Sequence, residues 1–274
     1  MKELSWLLAQ PDAVARWGVP VPRGILLYGP PGTGKTLLVK ALAKHTGRIL
    51  YKIKMSDIFS MWYSQSVEYL SRIFMQAKAA KGAILFLDEA DGVISSRSRQ
   101  HSHEESNRVV TQFNIEMEEI QPGDNLTVIL ATNIKEKLDE ASVRDQRIDL
   151  MIHVPLPDMA EREEILRVHK ATAESRSDYA VFASDIQLSA LATISEGLSG
   201  AALAHVIERA LWEKALHDIR DGINEPVCHD DLLRSIRVRL SERKDGERHR
   251  IGFSSAQPMP KSVPEESDLT PLLD

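Results

Sequence analysis

Gly29-Pro30-Pro31-Gly32-Thr33-Gly34-Lys35-Thr36 stands between an apolar run, Gly24-Ile25-Leu26-Leu27-Tyr28, and the stretch Leu37-Leu38-Val39-Lys40-Ala41-Leu42. The order is strand, glycine loop, helix, and the loop spells G-x-x-x-x-G-K-[ST]. Glycines let a backbone wrap closely around a polyphosphate with successive N–H groups turned inward. The N-terminus of the following helix adds partial positive charge. In such a loop Lys35 reaches the β- and γ-phosphates, and the Thr36 hydroxyl takes one position on Mg²⁺. The segment from Gly29 to Leu37 is therefore expected to bind a nucleoside triphosphate, with the metal between phosphate and protein.

A second apolar run, Ala83-Ile84-Leu85-Phe86-Leu87, ends in Asp88-Glu89-Ala90-Asp91. Its length and composition predict a strand buried on both faces of a parallel sheet. The two carboxylates then fall where such a strand meets a ligand crevice. Asp88 is placed to hold the Mg²⁺ shell through water, and Glu89 to polarise the water that attacks the γ-phosphate. The plainer alternative is a helix N-cap followed by a first-turn acid. A third run, Leu126-Thr127-Val128-Ile129-Leu130-Ala131-Thr132, ends in Asn133. Asn133 either orients the attacking water or simply ends the strand in an Asx-type turn.

The chain of 274 residues is long enough for one large or two modest domains. Its 43% hydrophobic and 27% charged content is that of an ordinary globular protein. A net charge of -6 gives no global argument for nucleic acid or an anionic membrane. With one cysteine, Cys228, no internal disulfide is available, which fits a reducing cytoplasm. No stretch reads as a signal peptide or as a membrane span. There is no His-Glu-x-x-His and no recognisable nucleophile motif, so a self-contained protease is disfavoured.

Strand-like runs at residues 25–28, 49–53, 83–87, 127–131 and 151–154 alternate with helical segments, the pattern of a parallel α/β sheet sandwiched by helices. After Pro155-Leu156-Pro157-Asp158 the pattern changes to helices at about residues 159–173, 185–195, 199–219 and 229–240. The expected organisation is an α/β nucleotide domain over 1–154, a small all-helical domain over 155–240, and a polar, proline-containing tail over 241–274 without fixed structure of its own.

Taken together, GPPGTGKT, LFLDEAD and ILATN, in that order and followed by helices, resemble an AAA+ ATPase of the AAA subgroup in the narrow sense. That group holds katanin and spastin, the proteasomal ATPases and the membrane-tethered AAA proteases. The resemblance implies a P-loop NTPase fold with a helical lid, ATP with Mg²⁺ as cofactors, and a homo-hexameric ring that unfolds polypeptide by threading it through a central pore. It also implies several residue roles. Arg144 and Arg147, within Leu138 to Asp149, match the arginine fingers that reach a neighbouring subunit's γ-phosphate. Asp145-Gln146 stand where the family commonly has Pro-Gly. Trp62, flanked by Met61 and Tyr63, matches the pore-loop aromatic that grips the threaded chain. His169, Gly200 and Ala201 match lid positions that border the adenine. His101 and His103 fall in the second pore loop, with no Cys or third His at ligand spacing.

The resemblance begins part-way into the family's pattern. Residues 2–8 match the helix that leads to the glycine loop. Either Met1 is not the natural start, or the base pocket is assembled differently. Substrate recruitment is then expected from a partner or adaptor, from the tail, or from a region outside this sequence. Two other functions fit the same motor. One is remodelling of nucleic acid, for which the run Arg234, Arg237, Arg239, Arg243, Lys244, Arg248, Arg250 speaks; Glu242, Asp245 and Glu247 interrupt it, so a solvated helix face is the better reading. The other is an ATP-gated adaptor that assembles with a partner and barely hydrolyses.

Overall fold

The structure is a computed structural model and describes residues 2–18, 21–59, 65–80, 82–91, 104–133 and 148–251. Two short helices, α1 (Lys2–Ala9) and α2 (Pro11–Arg16), lead into β1 (Gly24–Tyr28) and α3 (Lys35–Thr46). Then come β2 (Ile49–Lys54), α4 (Met55–Phe59), α5 (Gln65–Ala79), β3 (Ala83–Asp88), α6 (Glu104–Glu118), β4 (Leu126–Thr132) and β5 (Leu150–His153). The strands pair in parallel in the order β2-β3-β4-β1-β5. After β1 the chain crosses β4 and β3 to lay down β2 at one edge. That reversal opens a crevice at the C-terminal ends of β1, β3 and β4.

Alternation along the strands builds two apolar layers. Ile25, Leu27, Ile84, Phe86, Ile129 and Ala131 turn to one face and pack with Leu4, Leu8, Val39 and Leu42 from α1 and α3. Leu26, Leu85, Leu87, Val128 and Leu130 turn to the other and meet Ile58, Leu70, Phe74, Phe113 and Met117 from α4, α5 and α6. With both faces covered, β4 is buried at every position, which is why its sequence runs apolar without alternation. Arg48, only 8% exposed, fastens the end of α1 to this sheet. Its guanidinium donates to the carbonyls of Leu8 (3.1 Å) and Asn125 (3.0 Å) and to Asn125 Oδ1 (2.6 Å).

Past β5 the described chain is helical: α7 (Met159–Glu174), α8 (Leu188–Ile194), α9 (Gly200–Asp221) and α10 (His229–Ile251). A reciprocal capping box starts α7, with Glu161 N–H donating to Asp158 Oδ1 at 2.8 Å and Asp158 N–H to Glu161 Oε2 at 2.9 Å. Leu166, Leu191, Leu203, Val206, Ile207 and Ile236 form a separate core. Buried Arg162 ties the linker to this bundle, donating to Pro157 O (3.0 Å) and Ala192 O (2.9 Å).

Three details differ from the sequence reading. Residues 55–59 form a short helix, α4, to which the sequence reading gave no element. The segment placed at 185–195 becomes helical only from Leu188. The last helix runs on to Ile251, past the point where apolar periodicity stops. Its continuation is rich in Glu, Arg and Lys, good helix formers that need no buried face, and Arg239 and Glu242 pair along it at 2.9 Å.

Candidate nucleotide site

Two glycines of the loop are fixed by what lies beside them. A Cβ on Gly29 would stand 2.1 Å from the carbonyl oxygen of Val154, at the end of β5. A Cβ on Gly32 (φ 74°) would meet Ser199 Oγ at 2.7 Å and Ala201 Cβ at 2.9 Å. The loop thus threads between the sheet and the start of α9. At its end α3 begins with no side-chain cap, so its first N–H groups are left for an anion.

Lys35 is 7% exposed, and its ammonium donates to the carbonyls of its own loop, Gly29 (2.8 Å) and Pro30 (2.9 Å). Burial pushes its pKa below the usual lysine range, against the opposing pull of the Asp88 and Asp91 charges. A phosphate entering the loop offers this buried cation a far better partner than two neutral carbonyls. Thr36 Oγ1 donates to Asp88 Oδ2 at 3.0 Å, although 52 positions separate the residues. A hydroxyl and a carboxylate converging beside a phosphate loop are hard oxygen donors. They suit a hard divalent cation that keeps water and phosphate oxygens as its other ligands.

Glu89 follows Asp88 with φ 57°, a left-handed conformation uncommon for a residue with a side chain. The turn is held from behind, where Ala90 N–H donates to Ala131 O at 2.9 Å and Thr132 Oγ1 donates to Asp91 Oδ1. It swings the exposed Glu89 carboxylate off the strand axis, where its Oε2 accepts from Ser56 Oγ at 3.2 Å. Asn133 follows β4 directly and is exposed. The register that sets Leu87 beside Leu130 brings Asn133 to the same end of the sheet as Glu89.

The helical domain meets this site at the start of α9. Ser199 caps α9 by accepting from Ala202 N–H (3.3 Å), and Ala201 N–H donates to Gly32 O at 3.0 Å. Gly200 and Ala201 therefore border the phosphate loop itself. Ile165 of α7 packs against Gly200, and His169, one turn further along α7, is half-buried. A cavity of about 510 Å³ opens between Pro30, Pro31 and Leu156 on one side and Leu198, Ser199 and Arg243 on the other. Met61, Trp62 and Tyr63, and likewise Arg144 and Arg147, lie outside the described residues, as do His101 and His103.

Sequence reasoning missed Lys52, Lys54 and Ser56. Lys52 Nζ lies 3.4 Å from Asp88 Oδ2, and Lys54 Nζ 3.8 Å from Glu89 Oε1. Their only signal was two lysines spaced as neighbours on one strand face, which points nowhere until β2 is known to pair with β3. Three arginines of the basic run of α10 are engaged internally: Arg234 pairs with Asp231 and Glu213, Arg239 with Glu242, and Arg243 donates to Gly197 O.

Residues 25–156 match the family model described as ATPase family associated with various cellular activities (AAA). Relatives include Protein CdcH of Halobacterium salinarum, 32% identical over 228 residues, which are 83% of this chain and 30% of that protein. ATP-dependent zinc metalloprotease FtsH 3 of Sphaerobacter thermophilus is 37% identical over 236 residues, covering 86% of this chain and 46% of the relative. The proteasome-activating nucleotidase of Methanopyrus kandleri is 35% identical over 231 residues, covering 84% and 50%. The chain thus spans between about a third and a half of the length of these curated relatives. The matched span runs from β1 to the linker before α7 and so encloses the glycine loop, Asp88, Glu89 and Asn133. By these matches and by the five-stranded parallel sheet that carries the site, the chain belongs to the AAA family of ATPases.

Proposed function

We propose that this chain is the ATP-hydrolysing motor module of a ring-forming assembly that remodels polypeptide. The observation that carries the hydrolytic part is the convergence at the C-terminal end of the sheet of a phosphate loop, the Thr36–Asp88 pair and a Glu89 turned outward by a left-handed backbone. Lys35 moves from its loop carbonyls to the β- and γ-phosphates, and the N–H groups at the start of α3 hold their oxygens. Thr36 and Asp88 are the residues that would hold Mg²⁺, which when bound with the nucleotide neutralises developing charge on the phosphate oxygens. Glu89 takes the proton of the attacking water, and Asn133 orients that water. His169, Gly200 and Ala201 form the side of the pocket contributed by the helical domain, toward the adenine.

The assembly and the substrate rest on the resemblance and on two relatives' names, a proteasome-activating nucleotidase and an ATP-dependent metalloprotease. In this reading Arg144 and Arg147 act on the nucleotide of an adjacent copy in a homo-hexamer, and Met61, Trp62 and Tyr63 grip the polypeptide. Recruitment by an adaptor belongs to the same proposal. Among the described residues no helix is long and apolar enough to cross a membrane.

Glu89→Gln tests the core of the proposal. Removing a general base lowers turnover by about 10²–10⁴-fold, while ADP affinity stays at the wild-type value. Turnover equal to wild type sinks the assignment of Glu89. Trp62→Ala should keep basal ATPase and lose unfolding of a tagged model substrate; parallel loss of both would make Trp62 a packing residue. The mass of the Glu89→Gln protein, with and without ATP, tests the ring.

A further inference from the structure

β2 is an edge strand among the described residues, and lysines on such strands ordinarily just discourage pairing with other chains. Lys52 and Lys54 do more. They sit two positions apart, so they share a face, and the register sets Lys52 beside Phe86 and Lys54 beside Asp88. That face is the one covered by α3, where Thr36 lies. Lys52 Nζ and Thr36 Oγ1 approach the same atom, Asp88 Oδ2, at 3.4 and 3.0 Å, in a cleft where that carboxylate is 18% exposed and the lysine 35%.

We propose that Lys52 is a resident cation of the metal subsite, holding Asp88 toward Thr36 before nucleotide arrives and giving way when Mg²⁺ enters. This rests on the reading of Asp88 as the carboxylate on the metal side. Two cations compete for one carboxylate oxygen, so the ion pair that Lys52 gives up is subtracted from the affinity for metal. Its flexible four-carbon stem lets the ammonium withdraw toward solvent. By reciprocity, Lys52 weakens the dependence of nucleotide binding on Mg²⁺. Lys52 is on this argument a positioning residue, acting through Asp88.

The readout is a coupling ratio: the Kd of the full chain for ADP in EDTA divided by that in excess Mg²⁺, from calorimetric titration. Lys52→Met, which keeps the stem and removes the charge, is expected to raise this ratio about tenfold, and Lys52→Arg to restore it. Lys52→Gln gives the same reading if the Met variant folds poorly. Lys54→Met, which frees Glu89 instead, leaves the ratio at its wild-type value; an equal rise there would reduce the effect to general edge charge and overturn the assignment. Asp88→Asn separates the possible failures. If it leaves the ratio unchanged, the metal-side role of Asp88 falls and the lysine proposal with it. If it lowers the ratio while Lys52→Met and Lys52→Gln do nothing, the lysine proposal alone is wrong.

Discussion

The two walls of the nucleotide cleft are built differently. The α/β wall is a contiguous loop flanked by the acids at the end of β3 and the amide of Asn133 at the end of β4, and most of its chemistry is carried by backbone N–H groups and by residues within reach of them. Among the described residues the helical wall hydrogen-bonds the loop through the N–H of Ala201 to Gly32 O, with Ser199 and Ala201 packed against Gly32, and it owes its position to a capped helix and a distant core. Each wall is fastened by a buried arginine that donates to backbone carbonyls, Arg48 in the first and Arg162 in the second. The first wall thus carries the whole loop within one stretch of chain, whereas the second meets that loop only where α9 begins.

Removing the two fasteners gives the largest expected effects. Arg48→Met strands the carbonyls of Leu8 and Asn125, at a cost of about 3 kcal/mol to the α/β domain. Arg162→Met costs about 2 kcal/mol, because Ser195 Oγ still donates to Ala192 O (3.0 Å). Hydrogen exchange resolved by segment reads both. If either variant lowers protection equally in the two domains, the walls unfold as one unit and the contrast between them is lost.

Gly32→Val acts at the joint. It forces a β-branched residue into a left-handed conformation against Ser199 and Ala201, for about 2 kcal/mol of strain. ADP binding should weaken by about tenfold or more, since 1.4 kcal/mol is a factor of ten. Unchanged affinity would mean that the helical wall can swing away at no cost.

The smallest effect lies inside the helical wall. Burial alone would push the Asp231 carboxyl up, but the amide and thiol of Cys228 and the nearby Lys214 ammonium outweigh it and hold the pKa below the ordinary 3.8. A lowered carboxyl pKa stabilises the fold above the ordinary value, and that contribution fades as pH falls below 3.8 toward the folded value. Melting of the helical domain between pH 7 and 3 should show this acid loss, and Asp231→Asn should remove it while costing about 1 kcal/mol at neutral pH. An acid profile identical in both proteins would dismiss Asp231 as its source.

Much of this was legible beforehand, for a local reason. A phosphate loop is contiguous, so Gly29–Thr36 announces its ligand without any knowledge of the fold, and strands buried on both faces advertise themselves as unbroken apolar runs. The helices that follow Asp158 were legible as well. Charge-rich helix escaped, because the continuation of α10 to Ile251 has no apolar period to read. The contacts of Lys52 and Lys54 escaped for another reason, since they depend on which strand pairs with β2 and in what register.

By itself, then, the sequence determined the ligand class, the acids and the α/β-then-helical order, because each is written in neighbouring residues. Only the tertiary structure decided that Thr36 meets Asp88, that Glu89 is turned outward by its backbone, that Ala201 closes on Gly32, and that two lysines of β2 rest on the acids of β3. Those are encounters between residues far apart in the chain, and sheet order and packing, not local sequence, set the distances between them.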